Sequence, residues 1–225
     1  MQGFIFTGGQ GPKPQIIKRL LEIESSHQRL EDALFFAADS GLIAAENAGV
    51  KPDWIIGDMD SLDDTSRLGA FPPERIVHLN HNKDFTDTEV AFSLAVESGC
   101  KNIWIIGGGG GRIDHIFGIR SLFERELFPY RWITDAEDIY CIDANEGNHK
   151  ICMNLDEDTI VSVFPLGAGP WEAFSSGLKW PLAGLPWNRG FFGLSNVVMD
   201  GGFSIKAEQG RFMVILPCNT IELES

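Results

Sequence analysis

Up to about residue 138, short apolar runs and helical patterns take turns along the chain, and after Ile139 the helical pattern is gone. That change constrains the fold more than any single motif. Strand-like runs read at Phe4–Thr7, Leu34–Ala38, Trp54–Ile56, Ile76–Leu79, Ile103–Ile106 and Tyr130–Thr134. Helical patterns fall between them, near Gln15–Glu24, Gly41–Ala48, Thr86–Ser98 and Ile113–Leu127. Alternation of this kind predicts an α/β domain, a doubly wound and mostly parallel sheet covered on both faces. In such sheets ligands bind beyond the carboxyl ends of the strands. The remainder carries short β-like runs at Tyr140–Ala144, His149–Asn154, Thr159–Phe164, Val197–Met199, Phe203–Ala207 and Phe212–Leu216, separated by Gly and Asn/Asp turns. These predict an all-β sandwich or partial barrel. The expected domains are therefore residues 1–138 and 139–225.

Carboxylates and glycines gather where the first-domain strands end. Asp39 follows Leu34–Ala38, and Asp58 and Asp60 follow Trp54-Ile55-Ile56-Gly57. In extended backbone, residues two apart point the same way. Asp58 and Asp60 can thus converge, and their repulsion is relieved if a cation lies between them. A hard divalent ion with oxygen ligands, such as Mg²⁺, does this and leaves room for phosphate oxygens. The plain structural alternative is a solvated turn in which Ser61 caps a short helix through Leu62-Asp63-Asp64.

The segment Asn82-Lys83-Asp84-Phe85-Thr86-Asp87-Thr88-Glu89 opens the third helical pattern. Thr86 and Glu89 have capping-box spacing, and Asp87 suits the positive end of the helix dipole. Capping does not account for Lys83 and Asp84 just ahead of it; a cation beside carboxylates at a helix start suits phosphate and metal together. Ile103-Trp104-Ile105-Ile106 runs into five glycines, Gly107 to Gly111, and then Arg112-Ile113-Asp114-His115. Glycines there allow backbone N–H groups to approach an anion, and Arg112 can clamp a phosphate with two hydrogen bonds. The alternative is a flexible turn, with Asp114 as a helix-start acid and His115 on the surface. The pattern is neither the dinucleotide-binding G-x-G-x-x-G nor the phosphate loop G-x-x-x-x-G-K-[ST].

In the second part, Trp180 precedes Pro181 in a loop-like setting, where an indole face can stack on a flat or cationic ligand. Trp171 and Trp187 read as core filling. The chain has 32 acidic and 18 basic residues, net charge −14, which argues against nucleic acid or an anionic membrane as its main partner. Its four scattered cysteines fit reduced thiols of a cytoplasmic protein, and no apolar run reaches membrane-spanning length.

Taken in order, Ala38-Asp39-Ser40-Gly41, Gly57-Asp58-Met59-Asp60-Ser61, Lys83-Asp84-Phe85-Thr86-Asp87, Gly110-Gly111-Arg112-Ile113-Asp114-His115, Gly177-Leu178-Lys179-Trp180-Pro181-Leu182 and Ser195-Asn196 resemble the motifs of bacterial thiamine pyrophosphokinases. The resemblance implies a nucleotide-binding α/β domain followed by a thiamine-binding β-sandwich. It also implies a homodimer with thiamine at the subunit interface, and Mg²⁺-dependent transfer of a diphosphoryl group from ATP to thiamine with release of AMP. By the same resemblance Asp39, Asp58, Asp60 and Asp87 surround Mg²⁺, with Asp58, Asp60 and Asp87 closest to the chemistry. Lys83, Asp84, Thr86, Gly110, Gly111, Arg112 and Asp114 border the nucleotide, and Trp180, Ser195 and Asn196 face thiamine. Two other readings are a diphosphokinase for another alcohol, such as a hydroxymethylpterin, and a non-catalytic nucleotide or thiamine sensor.

Overall fold

The computed structural model describes residues 1–27, 30–59, 65–80, 84–199 and 201–218. The chain forms two compact units, Met1–Asp135 and Ala136–Ser225.

The first unit contains β1 (Gln2–Phe6), α1 (Pro14–Ser26), β2 (Leu34–Ala38), α2 (Gly41–Asn47), β3 (Trp54–Gly57), β4 (Ile76–His78), α3 (Asp87–Glu97), β5 (Asn102–Ile106), α4 (Ile113–Leu122) and β6 (Arg131–Ile133). Its strands lie in the order β4-β3-β2-β1-β5-β6, every neighbouring pair parallel. All five residues of β1 and the last four of β5 are buried, as expected for parallel strands covered on both faces. The chain moves outward from β1 through β2, β3 and β4, then returns to the other side of β1 as β5. The order therefore reverses between β1 and β5, and a ligand crevice belongs at the carboxyl end of that junction.

Two local facts shape this end of the sheet. A Cβ on Gly41 would stand 2.1 Å from the Phe6 carbonyl oxygen, so only glycine lets α2 start this close to β1. Helix α3 begins with the expected capping box: Glu89 N donates to Thr86 Oγ1 (3.2 Å) and Thr86 N donates to Glu89 Oε2 (3.0 Å). Helix α4 stops at Leu122, although the apolar pattern runs on to Leu127. Leu127 is exposed rather than buried, so the last part of the pattern has nothing to pack on.

The second unit contains β7 (Glu137–Asp143), β8 (Lys150–Met153), β9 (Ile160–Leu166), β10 (Glu172–Ser176), β11 (Gly193–Val197), β12 (Phe203–Gln209) and β13 (Arg211–Pro217). Strands β7-β13-β9-β11 form one antiparallel array and β10-β12-β8 another. One apolar cluster joins them, drawing Tyr140, Val163, Phe212 and Val214 from the first array and Ile151, Phe203, Ile205 and Ala207 from the second. This is the expected sandwich. Trp171 and Trp187 pack against the cluster, as core filling requires. Strand β10 has no counterpart in the sequence reading, and β11 begins four residues before the expected Val197.

Cys100, Cys141 and Cys218 are buried thiols and Cys152 is exposed; none of the four is in a disulfide. Burial pushes the Cys100 thiol above its ordinary pKa. Among the described residues no helix is long and apolar enough to cross a membrane.

Candidate active site

At the β1–β5 junction a cleft of about 790 Å³ opens, and loops from four separate strand ends line it. Thr7, Gly8 and Gly9 follow β1, Asp39 and Ser40 follow β2, and Asp58 follows β3. Asp84 to Glu89 come from the start of α3, and Gly108 to Arg112 from the run between β5 and α4. Helix α4 adds His115, Gly118, Ile119 and Leu122, residues spaced to share one helix face. Of the expected residues, Asp39, Asp58, Asp84, Thr86, Asp87, Gly110, Gly111 and Arg112 are thus brought to one cleft. Asp60 and Lys83, with Ser61 to Asp64 and Asn82, lie outside the described residues.

Asp39 is held by backbone geometry. Its φ is 52°, in the left-handed region that few non-glycine residues occupy, and its N–H donates to Ile56 O at 2.8 Å. Its carbonyl accepts from Leu42 N (3.2 Å) in the first turn of α2. Met59, after Asp58, is also left-handed, at φ 65°. Two acidic loops on adjacent strands therefore carry uncommon backbone, a pattern that concentrates at functional sites.

The glycine run is cross-stitched to the end of β6 and to the loop after β1. Gly107 N donates to Ile133 O (2.8 Å), Gly108 N to Gly8 O (2.8 Å) and Gly109 N to Gln10 O (2.8 Å), while Gln10 N donates to Gly109 O (2.6 Å). A side chain at Gly107 would meet Thr7 O at 2.4 Å, with φ at +105°. Three of the five N–H groups thus serve the fold instead of standing ready for an anion, and Gly110 and Gly111 carry the run into α4. Thr7 Oγ1 and Thr88 Oγ1, both on the cleft wall, lie 2.6 Å apart and tie this loop to α3.

Arg112 makes the expected two-pronged contact, but with Asp114. Nε donates to Oδ1 at 3.1 Å and Nη2 to Oδ2 at 2.6 Å, with both side chains exposed. These hydrogen bonds hold the Asp114 carboxyl below its ordinary value and raise the guanidinium. Glu89, besides its capping role, is paired with Arg125 beyond the end of α4.

Among the described residues the cleft lining sets Asp39, Asp58, Asp84, Asp87 and Glu89, all hard oxygen donors, against one guanidinium. Among the described residues no three His, Cys, Asp or Glu side chains stand close enough to cage a metal on their own. Mg²⁺ does not require such a cage, since it keeps several waters and takes one or two carboxylates plus substrate phosphates. The donor set fits that kind of ion.

In the second unit, Trp180 is 53% exposed in the turn after Leu178. Asn196, nearly buried, grips its backbone: Trp180 N donates to Asn196 Oδ1 (3.1 Å), and Asn196 Nδ2 donates to Trp180 O (2.6 Å). Asn196 Oδ1 also accepts from Val197 N (2.9 Å). Lys179 N donates to Val197 O and Met199 N to Gly177 O, so the two motif segments run side by side. Asn196 therefore holds the indole's backbone with both ends of its amide. Ser195 sits where β11 slips register against β9, with φ at 55° and its N–H donating to Ser162 Oγ (3.1 Å). Such bulges re-aim side chains, and Ser195 is exposed. Lys179 Nζ lies 4.9 Å from the Trp180 ring centroid, a cation–π contact.

The sequence reading passed over Thr7, Gly8, Gly9, Thr88 and His115. The strand-end rule that picked out Asp39 applies equally to Thr7-Gly8-Gly9, which ends the first apolar run. His115 read as a surface residue because one residue shows no helix face; its spacing to Gly118, Ile119 and Leu122 does.

A parallel α/β unit with a carboxylate- and glycine-rimmed cleft at its switch point, followed by a β-sandwich unit, defines a ligand-handling α/β enzyme with an appended β domain. Residues 27–128 match the family model described as thiamin pyrophosphokinase, catalytic domain, and residues 148–212 match thiamin pyrophosphokinase, vitamin B1 binding domain. Thiamine pyrophosphokinase of Bacillus subtilis (strain 168) is 28% identical over 157 residues, which is 68% of this chain and 72% of that protein. Among solved structures, thiamin pyrophosphokinase from Geobacillus thermodenitrificans superposes with a TM-score of 0.70 at 24% identity, covering 96% of this chain and 97% of the other. The enzyme from Candida albicans gives 0.63 at 13% identity, covering 96% and 88%. At these identities the superpositions show the shared fold. The chain belongs to the thiamin pyrophosphokinase family, whose members are thiamine diphosphokinase enzymes.

Proposed function

We propose that this chain transfers the β,γ-diphosphoryl group of ATP to the hydroxyethyl oxygen of thiamine, giving thiamine diphosphate and AMP. The observation that carries the reading is the meeting of Asp39 and Asp58, from two strand-end loops, and Asp87, from the start of α3, in one cleft with the glycine run and Arg112. So many carboxylates repel a bare polyphosphate, so the nucleotide enters with a divalent cation. When bound there, Mg²⁺ would supply neutralisation of the charge on the phosphate oxygens. Asp39, Asp58 and Asp87, with Asp60 by family resemblance, hold and orient that ion. Gly110, Gly111 and the start of α4 take phosphate oxygens, joined by Lys83 on the family resemblance, while Asp84 and Thr86 border the nucleotide at the start of α3. Arg112 meets phosphate through its Nη1 edge, since Asp114 takes Nε and Nη2.

The thiamine oxygen forms a bond to the β-phosphorus, the α–β bridging bond breaks, and AMP leaves with the bridging oxygen. Asp87 or Asp60 accepts the hydroxyl proton. In the second unit Trp180 offers an exposed indole face to the flat, cationic thiazolium and pyrimidine rings. Ser195 contacts the same ligand, and Asn196 acts by holding Trp180. The family resemblance extends the proposal to a cytoplasmic homodimer with thiamine at the subunit interface.

The test is AMP release from ATP and Mg²⁺, with and without thiamine. Thiamine-dependent AMP, matched by thiamine diphosphate, is the expected result. ADP in place of AMP overturns the diphosphoryl step. Saturable thiamine binding with no turnover indicates a sensor instead.

A further inference from the structure

The proposed function accounts for phosphate and metal and assigns no residue to the nucleotide base. Phosphates, carboxylates and glycines deal with charge; a purine needs a flat apolar face. Among the described residues that line the cleft, the aromatic side chains are Phe85 and His115 and the larger aliphatic ones Ile119 and Leu122; Phe85 has the larger and wholly apolar ring. Phe85 is 60% exposed. Its neighbours along the chain, Asp84, Thr86 and Asp87, are polar and line the same cleft. Structural packing does not explain a phenyl ring left in water at this place, although a single exposed ring is not rare in itself.

The backbone beneath the ring is firmly set. Thr86, the next residue, is locked to Glu89 by both capping hydrogen bonds, and Glu89 is further paired with Arg125. Thr88 is tied to Thr7 on the cleft wall. A ring mounted next to such an anchor can meet a ligand without first ordering a loop, which lowers the entropic cost of binding.

We propose that Phe85 is the stacking platform for the purine base of the nucleotide, an inference that rests on the nucleotide reading of this cleft. It also sets the kind of selectivity. Stacking reads the face of a base and tolerates its identity. A platform that reads the face alone takes ATP and GTP with similar affinity.

The experiment is calorimetric titration of the full-length protein with Mg²⁺-ATP, Mg²⁺-GTP and Mg²⁺-tripolyphosphate, for wild type, Phe85→Ala and Phe85→Trp. Phe85 is exposed, so the substitutions leave folding intact. For Phe85→Ala the expected result is an ATP Kd raised about ten- to a hundredfold, the range found for base–aromatic stacking. Tripolyphosphate binding should be unchanged, and Phe85→Trp should restore ATP affinity. Unchanged ATP affinity in Phe85→Ala overturns the proposal while leaving the nucleotide site in place. So does equal weakening of ATP and tripolyphosphate, which would make Phe85 part of the phosphate end. A wild type that binds tripolyphosphate but discriminates ATP from GTP more than a hundredfold overturns the face-only readout. If wild type binds none of the three, the nucleotide reading itself fails and the platform falls with it.

Discussion

The two units present their candidate residues by different means. In the first, the acids and glycines stand at the ends of buried parallel strands, and backbone geometry fixes them: the left-handed Asp39, the cross-stitched glycine run, the capped start of α3. In the second, an exposed indole rides on a turn that one buried amide, Asn196, holds at both ends. Distributed support leaves no single side chain responsible for the first site's shape. Concentrated support makes the second site depend on one residue that need not touch the ligand.

That contrast can be broken by substitution. The largest effect is expected at the cleft: Asp58→Ala should lower turnover on the order of 10²–10³-fold, as for loss of one transition-state stabiliser. Its thermal midpoint should stay near wild type. Steady-state kinetics with a melting curve checks both, and near-normal turnover would remove Asp58 from the site. Next, Trp180→Ala should raise the thiamine KM about 5- to 30-fold, the equivalent of a desolvated cation–π contact, and leave the ATP KM in place. Equal changes in both constants would make Trp180 a folding residue.

Asn196→Ala should sharpen the comparison. It leaves the Trp180 N–H and C=O without their partner and should cost about 1–3 kcal/mol of stability, visible in a denaturant melt. The thiamine KM should rise less than in Trp180→Ala, and combining the two variants should add little to KM. Full additivity in KM would give Asn196 its own ligand contact.

The smallest effect concerns the Arg112–Asp114 pair. The Asp114 carboxyl should titrate below the ordinary aspartate value of 3.8, and Arg112→Ala should return it upward; carbon-detected NMR of the side chain reads this directly. Because the folded-state value is depressed, whatever the pair adds to stability is complete above pH 3.8 and is lost as pH falls through the lowered value. At neutral pH the pair is intact.

Much of the first unit was legible because buried parallel strands are written as unbroken apolar runs, Trp54–Ile56 and Ile103–Ile106 among them, and because Thr86 and Glu89 mark a helix start by chemistry alone. The second unit hid β10 and most of β11 for a physical reason. In β10 only Ala173 is well buried while Phe174 faces outward, and in β11 the buried residue is Asn196 while Leu194 is exposed. Their polarity is inverted relative to an ordinary core strand, so hydrophobic alternation cannot find them. The contact between Trp180 and Asn196 was also invisible, since it depends on which loops run side by side. With Arg112 the sequence conveyed the bidentate geometry but not the partner, because a neighbouring carboxylate and a phosphate offer the same pair of oxygens.

The clamp on Trp180 has a consequence for how this turn breathes. Amide hydrogens in exposed turns normally exchange with solvent through small local fluctuations, but the Trp180 N–H is engaged by a side chain that is itself almost buried. Its exchange then requires Asn196 to let go, and so reports the opening of strand β11 rather than fraying of the turn. The most solvent-exposed tryptophan carries a backbone proton whose lifetime is set inside the sandwich.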